Sequence, residues 1–126
     1  MGAVLDHTIL RVADMGASIR FYTEVLGFSH DGPMYSWEVI RVNTDLTIDL
    51  AEGDPAPPRH FAFAMDRDAF DAAFTRIRNA GIPYGNSPRH RDNMKGPGRT
   101  AGSRGMADAV YVDDPSGHII EIRSYA

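Results

Sequence analysis

Leu5-Asp6-His7-Thr8-Ile9-Leu10 and Arg59-His60-Phe61-Ala62-Phe63-Ala64 each set one histidine in an apolar run. Each run leads through an aspartate into a segment of helical period. After the first come Asp14 and then Ile19, Tyr22 and Leu26 at spacings of three and four, with Phe21 and Val25 beside them and Gly27 behind. After the second come Asp66 and then Phe70, Phe74 and Ile77 at the same spacings, closed by Gly81. An aspartate accepts the free amide hydrogens of a first helical turn, and a glycine takes the left-handed conformation that ends one. The pattern therefore predicts a strand, an Asp-capped amphipathic helix over 15–26 and again over 67–80, and a glycine stop. Histidine and glycine stand 20 residues apart in the first copy and 21 in the second, so element lengths repeat as well as residue types.

Extended segments follow each helix, at 28–30, 35–42 and 46–51 in the first half and at 82–84, 106–112 and 118–123 in the second. The repeated unit reads as one strand, one helix and three strands. Alternate residues of a strand point to opposite sides of its sheet, so parity says which side chains share a face. Leu46, Ile48 and Leu50 form one face of the last strand of half one, and Asp49 stands on the other. In the matching strand of half two, Ile120 and Ile122 form the apolar face and Glu121 points away from it. Phe61, Phe63 and Met65 are expected in the core, with His60, Ala62 and Ala64 opposite, where two alanines leave open space. His7 shares its face with Leu5, Ile9 and Arg11. His7, Asp49, His60 and Glu121 thus occupy corresponding places opposed to the helices. Imidazole and carboxylate both ligate divalent first-row metals, and two His with one carboxylate suit Fe(II), so metal binding is the economical expectation.

Four pieces, Asp6-His7, the run Ser18-Ile19-Arg20-Phe21-Tyr22-Thr23-Glu24-Val25-Leu26-Gly27-Phe28, His60-Phe61-Ala62-Phe63 and Asp114-Pro115-Ser116-Gly117-His118-Ile119-Ile120-Glu121, together resemble the vicinal oxygen chelate superfamily. It includes glyoxalase I, extradiol ring-cleavage dioxygenases, methylmalonyl-CoA epimerase, fosfomycin-resistance transferases and bleomycin-binding proteins. The resemblance covers nearly the whole chain. It implies an α+β fold in a single domain, two βαβββ modules at about 1–53 and about 58–126 forming a curved mixed sheet that encloses a cleft. It also implies a divalent metal at the positions of His7, His60 and Glu121, with Asp49 where several members supply a fourth ligand, commonly Glu or Gln. Members of this length often build each site from the modules of two chains, so a homodimer is expected.

Composition is consistent with such a module, since 126 residues suit one compact domain and 43% hydrophobic content supplies a core. With zero cysteines, disulfides and thiolate ligands are excluded. No apolar run is long enough for a membrane span and no charged-then-apolar leader opens the chain, so a cytoplasmic location is the expectation. The net charge of −4 hides an asymmetry: residues 88–105 carry Arg89, Arg91, Lys95, Arg99 and Arg104 against Asp92, which is +4, and the remainder is −8. This segment has four glycines, two prolines and no helical or strand period. It reads as a long loop, either a solvated insertion or a cover whose Arg99 and Arg104 offer positive charge to an anionic substrate. His90 within it is a candidate general acid or base. Nucleic-acid binding is disfavoured because the basic segment lacks interleaved aromatics and the rest of the chain is acidic.

The superfamily's shared device is a metal that holds two adjacent substrate oxygens and stabilises the charge that develops on them. Several reactions use it. An extradiol dioxygenase reading assigns His7, His60 and Glu121 to Fe(II) or Mn(II), and Tyr111 lies in a segment similar to the one where those enzymes carry an active-site tyrosine. A glyoxalase or epimerase reading, with Zn(II) or Ni(II), uses Asp49 as ligand or base. The first is placed slightly ahead. A fosfomycin-type transferase is disfavoured by Ile9, where a threonine is expected. A metal-free ligand-sequestering protein of the bleomycin-resistance kind is the remaining alternative, and the three retained ligands weigh against it.

Overall fold

The computed structural model of the chain describes residues 2–126, and both expected aspartate caps are in place in it. Asp14 Oδ1 accepts from the Ala17 amide at 3.0 Å and Asp66 Oδ1 from the Ala69 amide at 2.8 Å. Gly27 and Gly81 follow the helical segments with φ of 86° and 70°, left-handed values that cost glycine little. The chain divides into two compact units, Met1–Pro57 and Pro58–Ala126.

Unit 1 comprises β1 (His7–Val12), α1 (Met15–Arg20) running into a π-helical turn (Phe21–Val25), β2 (Ser29–Met34), β3 (Trp37–Arg41) and β4 (Thr47–Glu52). Unit 2 comprises β5 (His60–Ala64), α2 (Arg67–Asn79), β6 (Gly98–Gly102), β7 (Gly105–Asp113) and β8 (Ile119–Ser124). Each unit is one mixed four-stranded sheet, in the order β1-β4-β3-β2 and β5-β8-β7-β6. The βαβββ repeat and the α+β class read from the sequence hold. The first and last strands of each unit pair in parallel and the others antiparallel. A parallel pair needs a long crossover, and here the helix and two intervening strands supply it.

Parity sets the cores as expected. Ile48 and Leu50 are fully buried in unit 1, as are Ile120 and Ile122 in unit 2 beneath the Phe70, Ala73, Phe74 and Ile77 face of α2. Burying each large aliphatic or aromatic side chain contributes about 1.5–3 kcal/mol. Phe61 and Phe63 are half-buried rather than core residues, their rings meeting edge-on at 6.3 Å.

Three expectations about elements are corrected. The helix expected over 15–26 loses its α register at Phe21, where the Leu26 amide donates to the Phe21 carbonyl five residues back at 3.1 Å. The wider turn places Phe21, Tyr22, Val25 and Leu26 in the core together. Residues 82–84 are not a strand; Tyr84 packs its ring edge-on against Phe74 at 5.1 Å, so their apolar character covers α2. The missing strand is β6, inside the segment that reads as a loop. Its Gly-Arg-Thr-Ala-Gly run lies at the sheet edge, held by backbone pairing to β7 rather than by an apolar face. No helix among the described residues is long and apolar enough to cross a membrane.

Candidate functional site

The two units use one register. His7 stands beside Thr47 on the parallel neighbour β4, and Asp49 lies two residues further on; His60 stands beside Ile119 on β8, with Glu121 two residues further. A step of two returns to the same face, so each carboxylate shares a side with its histidine.

In unit 2 they meet. Glu121 Oε1 lies 3.0 Å from His60 Nε2, although 61 residues separate them in sequence. Glu121 is 5% exposed, and its other oxygen, Oε2, accepts from Arg123 Nη1. In unit 1 the side chains make other contacts. Asp49 Oδ1 accepts from Thr47 Oγ1 at 3.2 Å, and His7 Nδ1 lies 2.7 Å from Asp6 Oδ2. The Asp6 hydrogen bond holds the His7 pKa above its ordinary value, opposed by a smaller effect of burial and aided by the nearby Asp49 charge.

A concavity of about 460 Å³ opens on the His60 side of unit 2. Its floor is the His60, Ala62 and Ala64 face of β5 with Glu121, Arg123 and Tyr125 along and just after β8. Its rim is the β6–β7 hairpin tip, where Ser103 and Arg104 form a two-residue connection. The small β5 alanines provide the open space that parity predicted beside the histidine. Arg104 stacks its guanidinium over the Tyr125 ring at 4.4 Å. Burial acts to raise the Tyr125 pKa, but donors from the Arg104 backbone and from Arg123 outweigh it and the net shift is downward. Tyr111 faces Glu121 across the β7–β8 pair and is buried at 2% exposure. Its hydroxyl lies 2.8 Å from Thr100 Oγ1, and burial, partly opposed by that hydrogen bond, raises its pKa so that it stays a neutral phenol.

Of the residues singled out from the sequence, His60, Glu121 and Arg104 come together at this concavity. Tyr111 stands beside Glu121 on the same face of the sheet but does not line the concavity. Arg99 is mostly exposed and reaches Asp108 at 3.3 Å, and exposed His90 sits in the 84–97 loop with Nδ1 2.9 Å from Ser87 Oγ. His7 and Asp49 belong to unit 1. Among the described residues, no three His, Asp or Glu side chains gather as a group able to hold a metal ion. His60 and Glu121 supply two donors of the types a first-row divalent metal takes, so the residues present fit part of such a centre. Arg123, Tyr125 and Thr100 were not singled out from the sequence. Arg123 was findable, because it lies two residues beyond Glu121 on the same strand.

The model of the Glyoxalase/Bleomycin resistance protein/Dioxygenase superfamily matches residues 4–122. The chain is 31% identical to a lactoylglutathione lyase of Escherichia coli O157:H7, across 94% of this chain and 90% of that one. It is 26% identical to the virulence protein STM3117 of Salmonella typhimurium, across 96% of this chain and 83% of that one. Among solved structures, the oxidase ChaP-H2 superposes with a TM-score of 0.85 at 30% identity, covering 100% of this chain and 96% of that one.

Proposed function

The chain belongs to the Glyoxalase/Bleomycin resistance protein/Dioxygenase superfamily, and from that premise we propose that it is a divalent-metal-dependent oxygenase or oxidase. It acts in this reading on a small, oxygenated, anionic organic molecule, in the manner of a ring-cleavage dioxygenase. The observation that carries the proposal is the His60–Glu121 pair, 3.0 Å apart on the floor of an open concavity. Fe(II) or Mn(II) is the metal the donor set favours, with His60 and Glu121 as ligands and His7 completing the set, contributed by this chain or by a second copy in a homodimer. When bound, the metal supplies a positive centre for two adjacent substrate oxygens.

The chain's own residues do the rest. Ala62 and Ala64 leave room for a ring or carbon skeleton beside His60, and Arg104 at the hairpin tip offers a guanidinium to a substrate carboxylate. Tyr111, kept neutral by burial, supports Thr100 and the strand carrying Glu121 rather than touching substrate. His90 and Arg99, which do not line the concavity, receive no role in this reading.

The likeness to the oxidase favours oxygen chemistry, whereas the 31% identity to a lactoylglutathione lyase favours a second reading, a Zn(II)- or Ni(II)-dependent lyase with Asp49 as ligand or base. One experiment separates them. Protein purified without chelators is assayed for metal content, then for oxygen uptake with a catechol panel and for hemithioacetal turnover. Iron or manganese with oxygen uptake lost in His60→Ala supports the oxygenase. Nickel or zinc with hemithioacetal turnover supports the lyase. No stoichiometric metal, with ligand binding intact in His60→Ala, overturns both in favour of a metal-free binding protein.

A further inference from the structure

Arg123 is 4% exposed and surrounded by acceptors from three elements. Its Nε donates to Tyr125 Oη at 3.2 Å, its Nη2 to the carbonyls of Thr100 at 3.0 Å and Gly105 at 3.3 Å, and its Nη1 to Thr100 Oγ1 at 3.4 Å as well as to Glu121 Oε2. A guanidinium has five N–H donors in a rigid plane, and these contacts use all five. Its hydrogen bonds and the charge of Glu121 outweigh the effect of burial, so it remains a cation throughout the physiological range. The site is built for it. A Cβ on Gly102 would stand 2.6 Å from Arg123 Cζ and 2.7 Å from Tyr125 Oη, so a larger residue there would push the guanidinium and the phenol out of this arrangement.

The consequence falls on Glu121. With Oε2 committed to Arg123, the carboxylate turns one oxygen, Oε1, toward His60. Unit 1 has no such device, because the position two residues beyond Asp49 is Ala51. Since every Arg123 donor is already engaged by the protein, the guanidinium is not the group that captures substrate.

We propose that Arg123 is a positioning residue that restricts Glu121 to one-oxygen ligation and offsets its charge. The inference rests on the metal-site reading above and adds to it a reason for the site's limited coordination. A carboxylate sharing its charge with a guanidinium is a poorer donor, so a divalent metal held by His60 and Glu121 would be bound less tightly than by a free carboxylate and would supply a stronger positive centre for substrate oxygens.

The test uses Co(II) alone as probe, with affinity from calorimetry and coordination number from the visible absorption, which weakens as ligands are added. Arg123→Gln removes a positive charge beside the ligating carboxylate, and is expected to bind Co(II) about tenfold more tightly than the wild type, with a weaker absorption that reports a second carboxylate oxygen. Arg123→Lys, which keeps a cation beside Glu121, is expected to restore the wild-type spectrum. A folded Arg123→Gln whose affinity and spectrum equal the wild type's, or whose binding is weaker, overturns the proposal and leaves Arg123 a structural residue. Should Arg123→Gln not fold, Tyr125→Phe removes the hydroxyl that accepts from Arg123 Nε–H and from Arg104 while keeping the ring; a smaller shift in the same direction supports the proposal, and no shift overturns it. If the wild type binds no Co(II), or binds it equally well after Glu121→Ala, the metal-site reading itself falls, a result distinct from an Arg123 variant that changes nothing.

Discussion

The two units share a scaffold and differ in chemistry. Both run strand, capped helix and three strands, both pair the first strand in parallel with the last, and both put a carboxylate two residues beyond the partner of a histidine. Both also close a hairpin with a two-residue connection, Tyr35 and Ser36 in one and Ser103 and Arg104 in the other. Yet Asp49 bonds Thr47, while Glu121 reaches His60 and is flanked by a buried arginine. The unit 1 hairpin tip bears exposed Met34 and Tyr35, with the Tyr35 ring 5.5 Å from that of Trp37. The unit 2 tip is bounded by Gly102 and Gly105, and the guanidinium lies against Gly102. One methylene of reach and one arginine therefore separate positions that the repeat makes equivalent.

The comparison breaks most sharply at the carboxylates. Glu121→Gln keeps the shape but removes the charge, and the loss of metal-dependent activity is expected to exceed the 10–100-fold typical of a residue that only supports a ligand. Asp49→Asn is expected to cost less than Glu121→Gln in the oxygenase reading. Steady-state kinetics and metal content of both variants check this, and equal losses would mean that the two units contribute equally to the centre.

A smaller effect, expected to be the same in both units, falls on the helix caps. Asp14→Ala and Asp66→Ala each remove the acceptor of one first-turn amide, and each is expected to cost about 1 kcal/mol by chemical denaturation. A clear inequality would show that the π-helical turn after α1 changes how that helix depends on its cap.

The smallest effect sharpens a difference between the histidines. The hydrogen bond to Asp6 favours protonated His7, so the folded pKa lies above the ordinary 6.5. The contribution of that contact is fully present below 6.5 and is lost as pH rises through the higher folded value. In metal-free protein, Asp6→Asn is expected to bring the His7 titration, followed by NMR, down toward the ordinary value, with little change in stability because the pair is exposed. An unchanged midpoint would show that Asp49 rather than Asp6 sets it.

Much of this was legible in the chain. Asp14 and Asp66 announce their helices because capping is settled within three residues, and Ile48, Leu50, Ile120 and Ile122 announce their faces because a strand alternates with period two. β6 was hidden because an edge strand of Gly, Arg, Thr and Ala has no apolar alternation. Residues 82–84 misled for the opposite reason, since an apolar coil covering a helix carries the same composition as a short strand. Arg104 was found as a cation in a basic stretch, but the sequence did not separate it from Arg99, which turns to Asp108.

By itself, then, the sequence determined the duplicated βαβββ unit, its caps and stops, and the side of the sheet on which each histidine and carboxylate stands. These follow from geometry that acts over a few residues. Only the tertiary structure decided that Glu121 rather than Asp49 meets a histidine, and that Arg123, Thr100 and Tyr125 surround it. Those contacts join residues up to 61 positions apart, and they depend on strand register, side-chain reach and the close approach that Gly102 allows.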